Sequence, residues 1–145
     1  MMTASEFLNK MKSRGAYSAP PATQNAINLC NVQLQQMRAA MFPMPMIELY
    51  NMTGGMHMGT GYIFGPMEIP NGLRIPIPSI AAINSDMSSI DAAHGKTIVG
   101  RNDLFLFGFD TMGNFMMLDN LTLKTLRTYD DPYRALADCL IAGKI

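Results

Sequence analysis

The side chains suited to chemistry in this 145-residue chain are few and scattered. Its imidazoles are His57 and His94, and its thiols are Cys30 and Cys139. Nucleophilic catalysis pairs such a group with an oriented base. His57 stands among Gly54, Gly55, Gly59 and Gly61, and His94 precedes Gly95. These settings predict solvated loop histidines, and neither has the Ser or Cys context of a nucleophile elbow or a thiol protease. The cysteines have no metal-ligand spacing and fall in helical patterns, which predicts two buried thiols in a reducing compartment. A cluster of carboxylates could work as an acid–base pair or hold a metal. Asp103, Asp110 and Asp119 instead fall at the ends of strand patterns, and Asp130-Asp131 precedes a helix, where Asp caps turns and helix starts. Gly59-Thr60-Gly61 lacks the spacing and following helix of a phosphate cradle. The expectation is a chain that is not an enzyme and needs no cofactor.

Methionine is the compositional oddity, with 15 in the chain. Met44-Pro45-Met46 and Met56-His57-Met58 stand out. Thioethers with imidazole suit Cu(I), so Met56, His57 and Met58 form an alternative copper site. Methionine also fills irregular cores and adaptable binding faces, which is the plainer expectation here.

Composition narrows the class further. The length fits one domain able to bury a core without disulfides or metals. Charged residues are 15%, below the usual level of about 25%. A thinly charged surface leaves apolar area for a partner to cover. Lys and Arg total 11 and so do Asp and Glu, with no basic run, which argues against nucleic acid. No stretch approaches the roughly 18 apolar residues of a membrane span. Met1-Met2-Thr3-Ala4-Ser5-Glu6 has neither the basic nor the apolar region of a leader. A cytoplasmic location is expected.

The elements that must position these residues read as helices, then strands, then one closing helix. Thr3 and Glu6 form a capping-box pair ahead of a helix over 4–13, ended near Gly15. Pro20-Pro21 breaks the chain. Thr23 then caps a helix to about Ala40, with Ile27, Cys30, Leu34, Met37 and Met41 as its buried stripe. Met46–Met52 suggests one or two turns with Ile47 and Tyr50 inward. Gly61–Gly65 reads as a strand. Met67–Ile69 is expected to pair with a neighbour, and 70–78, with three prolines, to be loop or edge. Ser79 caps a helix over 80–90. Thr97–Arg101, Leu104–Asp110, Asn114–Leu118 and Leu123–Tyr129 are strand candidates. Phe105, Phe107 and Phe109 share one face of theirs, with Leu104 and Leu106 on the other, as in a central strand. Asp131 and Pro132 open a final helix buried through Tyr133, Leu136, Cys139 and Leu140. The pattern predicts an α+β domain. Its central sheet should be antiparallel or mixed, with about five or six strands flanked by helices. Residues 1–145 form one domain, divided into an N-terminal helix and loop (1–22) and a core (23–142).

In this order the motifs resemble the SUKH superfamily, named for yeast cell-wall regulators and their bacterial relatives, and within it the YrhA-like branch. Met46-Ile47-Glu48-Leu49-Tyr50-Asn51-Met52-Thr53-Gly54-Gly55 is similar to the family's short helix and Gly-containing turn. Tyr62-Ile63-Phe64-Gly65-Pro66 looks like its next strand, and Gly95 to Asp103 with the Phe-rich stretch looks like its central strands. Asp110-Thr111-Met112-Gly113-Asn114-Phe115 and Tyr129-Asp130-Asp131-Pro132-Tyr133 match its hairpin and final helix entry. The resemblance implies an α+β fold around a mixed sheet, no enzymatic activity, and an immunity-type protein that binds and neutralises a cognate bacterial toxin. A blocker of a nuclease would commonly be acidic; this chain is neutral. The contact residues expected for such a protein partner are Glu48, Met56, His57, Tyr62, Arg101, Asp103, Asp110 and Asp119, since Tyr and Arg are typical anchors and Met adapts its shape. Arg101 could instead pair with Asp103, and Tyr62 could be core. A self-associating regulatory or scaffold protein is the alternative, and the chain is expected to be a monomer or homodimer.

Overall fold

Among the described residues, four of the five α-helices begin at a side chain that accepts an amide left free by the first turn. The computed structural model describes residues 2–69 and 76–142, so most of the loop expected over 70–78 lies outside it. Helix α1 (Ala4–Ser13) starts at Thr3, whose hydroxyl accepts from Glu6 N at 3.1 Å. Helix α2 (Gln24–Gln36) starts at Thr23, which accepts from Ala26 N at 3.1 Å. Helix α3 (Met44–Tyr50) opens at Pro43 with Pro45 in its first turn, where a missing N–H costs nothing. Ser79 caps α4 (Ile80–Met87) and Asp131 caps α5 (Pro132–Ile141).

Helix ends depart from expectation where local backbone turns. Helix α2 stops at Gln36 rather than Ala40, because Arg38 takes φ 61° and lets Ala39 N reach back to Leu34 O. Met41 therefore leaves the buried stripe and is 48% exposed, while Ile27, Cys30 and Leu34 stay buried. Helix α4 ends at Met87, three residues short of 90, with the Ser88 hydroxyl donating to Ser85 O. In α3, Tyr50 is buried as expected but Ile47 is only half-buried.

Among the described residues the sheet is antiparallel throughout, with seven strands in chain order, which makes the fold α+β. They are β1 (Tyr17–Ser18), β2 (Met56–Met58), β3 (Gly61–Ile63), β4 (Lys96–Arg101), β5 (Phe105–Asp110), β6 (Phe115–Asp119) and β7 (Thr125–Tyr129). Seven is slightly above the five or six expected, and the strands that the pattern did not show, β1 and β2, have only two and three residues. His57 consequently sits in a strand, not a loop. Leu123, expected in the last strand, lies in the preceding turn with φ 60°. Ile69 bridges Ile77 outside the sheet. Residues 2–22, expected as a separate helix and loop, are built into the same core: Phe7, Leu8 and Met11 are buried, and Tyr17 pairs with His57. No helix among the described residues is long and apolar enough to cross a membrane.

Helix α5 lies across one face of the sheet, touching β2 through β7, with α1 packed on its other side. Eight of its ten residues are buried, so an amphipathic stripe becomes an almost wholly buried helix. The Phe7 and Tyr133 rings stack at 5.5 Å, and Tyr133 Oη donates to Pro45 O at 2.9 Å. The helix comes close because glycines face it. A Cβ on Gly100 would lie 2.7 Å from Tyr62 O and 2.9 Å from Cys139 Sγ.

Strand β3 covers β4 only at Gly100 and Arg101. Phe64 N continues the edge by donating to Val99 O, and α4 completes it: Asn84 Oδ1 accepts from Ile98 N at 2.8 Å and Nδ2 donates to Ile98 O at 2.9 Å. Asn84→Ala would strand both groups in the core. It is expected to lower stability by about 2–3 kcal/mol in urea titration; an unchanged midpoint would refute this account of the edge.

Candidate functional site

Gly61 and Gly100 face α5, so their strand neighbours Tyr62 and Arg101 point from the opposite face. The register carries Tyr17, His57, Tyr62, Arg101 and Leu106 in one row across five strands. His57 and Tyr62 stack at 4.4 Å, and the Arg101 guanidinium stands 5.9 Å over the Tyr62 ring. His57 Nε2 lies 2.9 Å from Gly59 O; a carbonyl only accepts, so this nitrogen carries the proton. His94 Nε2 is engaged in the same way, 3.0 Å from Ser88 O.

A second feature forms where α5 ends. Its last turn, the β2–β3 turn at Gly59-Thr60, the β4–β5 turn at Asn102 to Leu104, and sheet positions Phe105, Phe107 and Met117 enclose an open cleft of about 620 Å³. Asn102 builds the second turn: Oδ1 accepts from Leu104 N and Phe105 N at 2.9 and 2.8 Å. Leu104 is thereby held 63% exposed on the rim, beside Arg14 and Asp103.

At the inner end of the cleft, Asp138 is buried on α5. Its Oδ2 accepts from Tyr129 Oη at 2.6 Å and from Arg127 Nη1 at 3.2 Å. The Arg127 guanidinium also lies 4.6 Å over the Tyr129 ring. Burial, then the hydrogen bond to Asp138, pushes the Tyr129 hydroxyl well above its ordinary range. The next residue, Cys139, donates its thiol to Tyr62 O and Arg101 O at 3.3 and 3.4 Å, and burial raises its pKa. This thiol ties helix to sheet and is poorly disposed to ionise.

Asp138, Tyr129 and Arg127 form a clasp between α5 and the edge strand β7. Asp138→Ala is expected to cost roughly 2–3 kcal/mol, because the Tyr129 hydroxyl loses its acceptor. Arg127 is 54% exposed, so its share is under about 1 kcal/mol. A double-mutant cycle with Tyr129→Phe, read by urea unfolding, should return a coupling of about 1 kcal/mol; additive losses would deny the clasp.

The structure brings together only part of the sequence-derived contact set. His57, Tyr62 and Arg101 share the row, and Arg101 faces the Tyr62 ring, not Asp103. Asp103 stands on the cleft rim, accepting from Thr60 Oγ1 at 3.1 Å. Met56 is fully buried and presents nothing to a partner, so it leaves the set. Glu48 is exposed on α3 near Tyr133, at the opposite end of α5 from the cleft. The Tyr133 hydroxyl is pushed up to about 12 by burial first, then by Glu48 and Asp131. Asp110 caps the β5–β6 turn, accepting from Met112 N and Asn114 N. Asp119 caps the β6–β7 turn, and the amides of Thr122 and Leu121 lower its pKa. Asp103 precedes β5 and Asp110 is its last residue, so the two sit at opposite ends of the strand and cannot cooperate. Strand alternation turns His57 away from Met56 and Met58, so those three side chains do not converge on one ion. Among the described residues, no group of three His, Cys, Asp or Glu side chains could hold a metal.

No protein-family model matches the chain, and no curated protein is detectably similar to it. The site is therefore read from its own chemistry. Sequence reasoning missed Asp138, Tyr129, Arg127 and Leu104. The available signal was an acidic residue inside the apolar run Ala135-Leu136-Ala137-Asp138-Cys139-Leu140-Ile141, with Arg127 and Tyr129 two apart on one strand face.

Proposed function

We propose that this chain is a non-enzymatic recognition domain of the immunity type, which binds another protein through the cleft beside Asp138. The observation that carries this reading is the make-up of the cleft: an apolar floor of Phe105, Phe107 and Met117, a protruding Leu104, and a polar rim of Arg14, Thr60, Asn102 and Asp103. Protein interfaces share that anatomy, with an apolar centre and a polar border. The engagement of both imidazoles with turn carbonyls and of Cys139 with the sheet supports recognition over catalysis. The SUKH resemblance supplies the immunity-type assignment and a bacterial toxin as the partner. A cytoplasmic location suits two free buried cysteines. With zero net charge, association should be weakly steered, so its rate should change little with salt.

The test is co-expression with the protein encoded beside this chain. A stable complex and relief of that protein's toxicity are expected, and Leu104→Asp should weaken the complex by about tenfold or more, since an exposed apolar contact beside the cleft becomes a charge. Absence of both rescue and co-purification would defeat the reading.

Self-association is the second reading. Leu29 and Val32 are 61% and 49% exposed on α2, and no charged residue occurs from Gly15 to Met37. An uncharged face can meet its own copy without repulsion. Light scattering of Leu29→Asp against the parent chain decides it: a dimer lost on substitution supports this reading, and a monomeric parent removes it.

A further inference from the structure

Asp138 has more capacity than the clasp uses. Both of its side-chain partners, Tyr129 Oη and Arg127 Nη1, take the same oxygen, Oδ2. Among the described residues no donor reaches Oδ1, although the residue is only 9% exposed and lines the cleft. A carboxylate oxygen open to a cleft with apolar walls can accept a charge-assisted hydrogen bond from a cationic donor. Helix α5 adds to this pull. Its final turn, Asp138 to Ala142, lines the same cleft, and a helix C-terminus carries partial negative charge.

The walls select the shape of the cation. Phe105, Phe107, Met117 and Leu140 would leave a bare metal ion or a small ammonium group facing hydrocarbon. A hydrocarbon stem with a charged head satisfies both parts of the site. Arg127 shows that this carboxylate receives a guanidinium: it bonds Oδ2 while lying over the Tyr129 ring, and Oδ1 is left to a second group. The rim charges, Arg14 and Asp103, balance one another, and deeper in the cleft Asp138 is paired with the half-exposed Arg127 through Oδ2 alone.

We propose that the cleft takes an arginine side chain of the partner protein, with its stem against Phe105, Phe107 and Met117 and its guanidinium on Asp138 Oδ1. This rests on the recognition reading and names the chemistry of the partner's anchor.

The test titrates the isotope-labelled full chain with N-acetyl-arginine amide, N-acetyl-lysine amide and N-acetyl-citrulline amide, following backbone amide NMR shifts. Citrulline keeps the shape of arginine and lacks its charge. Saturable shifts confined to 102–107 and 138–142 are expected, with arginine at least about tenfold tighter than citrulline and tighter than lysine. Asp138→Asn should abolish the difference. If that variant loosens the fold, the comparison of ligands on the parent chain still decides. Equal binding of arginine and citrulline, tighter lysine, or no cleft shifts would overturn the proposal. A partner complex formed without cleft shifts would leave recognition standing and remove the arginine anchor. Arginine binding with no complex on co-expression would remove the protein source and the proposal with it.

Discussion

Gly65→Ala is expected to destabilise the fold more than any other single methyl addition, by at least about 3 kcal/mol. A Cβ at Gly65 would fall on the carbonyl oxygen of Gly54, far inside contact distance, with the Gly54 carbonyl carbon 2.8 Å away. Neither neighbour is a side chain that could swing aside. Gly54 is itself pinned: its N–H donates to Pro20 O at 2.8 Å, and a Cβ there would meet the same oxygen. Three segments thus cross on bare backbone, the loop after α3, the chain leaving β3, and the Pro20 turn. Thr53 locks the crossing from within, donating to Ala19 O or Gly55 O while accepting from Ser18 Oγ. Gly15 is the control. It has φ 95° but open space around it, so Gly15→Ala should cost only about 1 kcal/mol of backbone strain. Since whole domains are stable by roughly 5–15 kcal/mol, Gly65→Ala should lose much of its circular dichroism signal under mild denaturant while Gly15→Ala keeps it. Similar urea midpoints for the two variants would sink the argument.

Much of this fold is legible in the sequence wherever one residue decides a local event. Thr3, Thr23, Ser79 and Asp131 each mark the helix start they cap, and the Phe-rich stretch and its neighbours give four of the strands. What escapes is decided by distant contacts. Tyr17–Ser18 and Met56–Met58 are too short to carry a periodic signal and become strands by pairing with each other and with β3. The helix expected to reach Ala40 ends early because Arg38 adopts a left-handed conformation that its own side chain does not announce. Asn84 sits mid-helix, where a polar residue reads as surface, yet it is buried to complete an edge formed by residues 14 positions on.

The site was legible to a smaller degree. Row residues His57, Tyr62 and Arg101 were identifiable by type, and register places them together. Asp110 and Asp119 behave as their position before turn residues suggests, as caps. The cleft was not legible, because it depends on α5 having almost no outer face. Read as an isolated amphipathic helix, α5 puts Asp138 toward water. Enclosed by the sheet and α1, it puts Asp138 beneath Tyr129 and Arg127.

Raising the pH should unfold this protein in a narrow interval above pH 10. Tyr50 is fully buried and donates its hydroxyl to Phe64 O at 2.6 Å; Cys139 is buried and donates to two strand carbonyls. Burial is the main reason that both native pKa values are raised, from ordinary values of 10.0 and 9.0. A group whose folded pKa is raised contributes in full below its unfolded pKa and loses that contribution as pH climbs. The loss therefore starts above pH 9 with the thiol and steepens above pH 10 with the phenol. Each group then costs about 1.4 kcal/mol per pH unit, so the pair removes roughly 3 kcal/mol per unit. Cys30 and Tyr133, both pushed up to about 12, and Tyr129 steepen the fall further. Tyrosine absorbance near 295 nm and circular dichroism should change together in one cooperative step. Tyr50→Phe should make the alkaline decline shallower, because one linked proton is gone. Smooth tyrosine ionisation around pH 10 with the dichroism intact would show that these hydroxyls are not sealed in. Both buried groups hold structure against the sheet, Cys139 on the strand carbonyls beside the cleft and Tyr50 on Phe64. Ionising Cys139 means opening the α5–sheet contact from which the cleft is built.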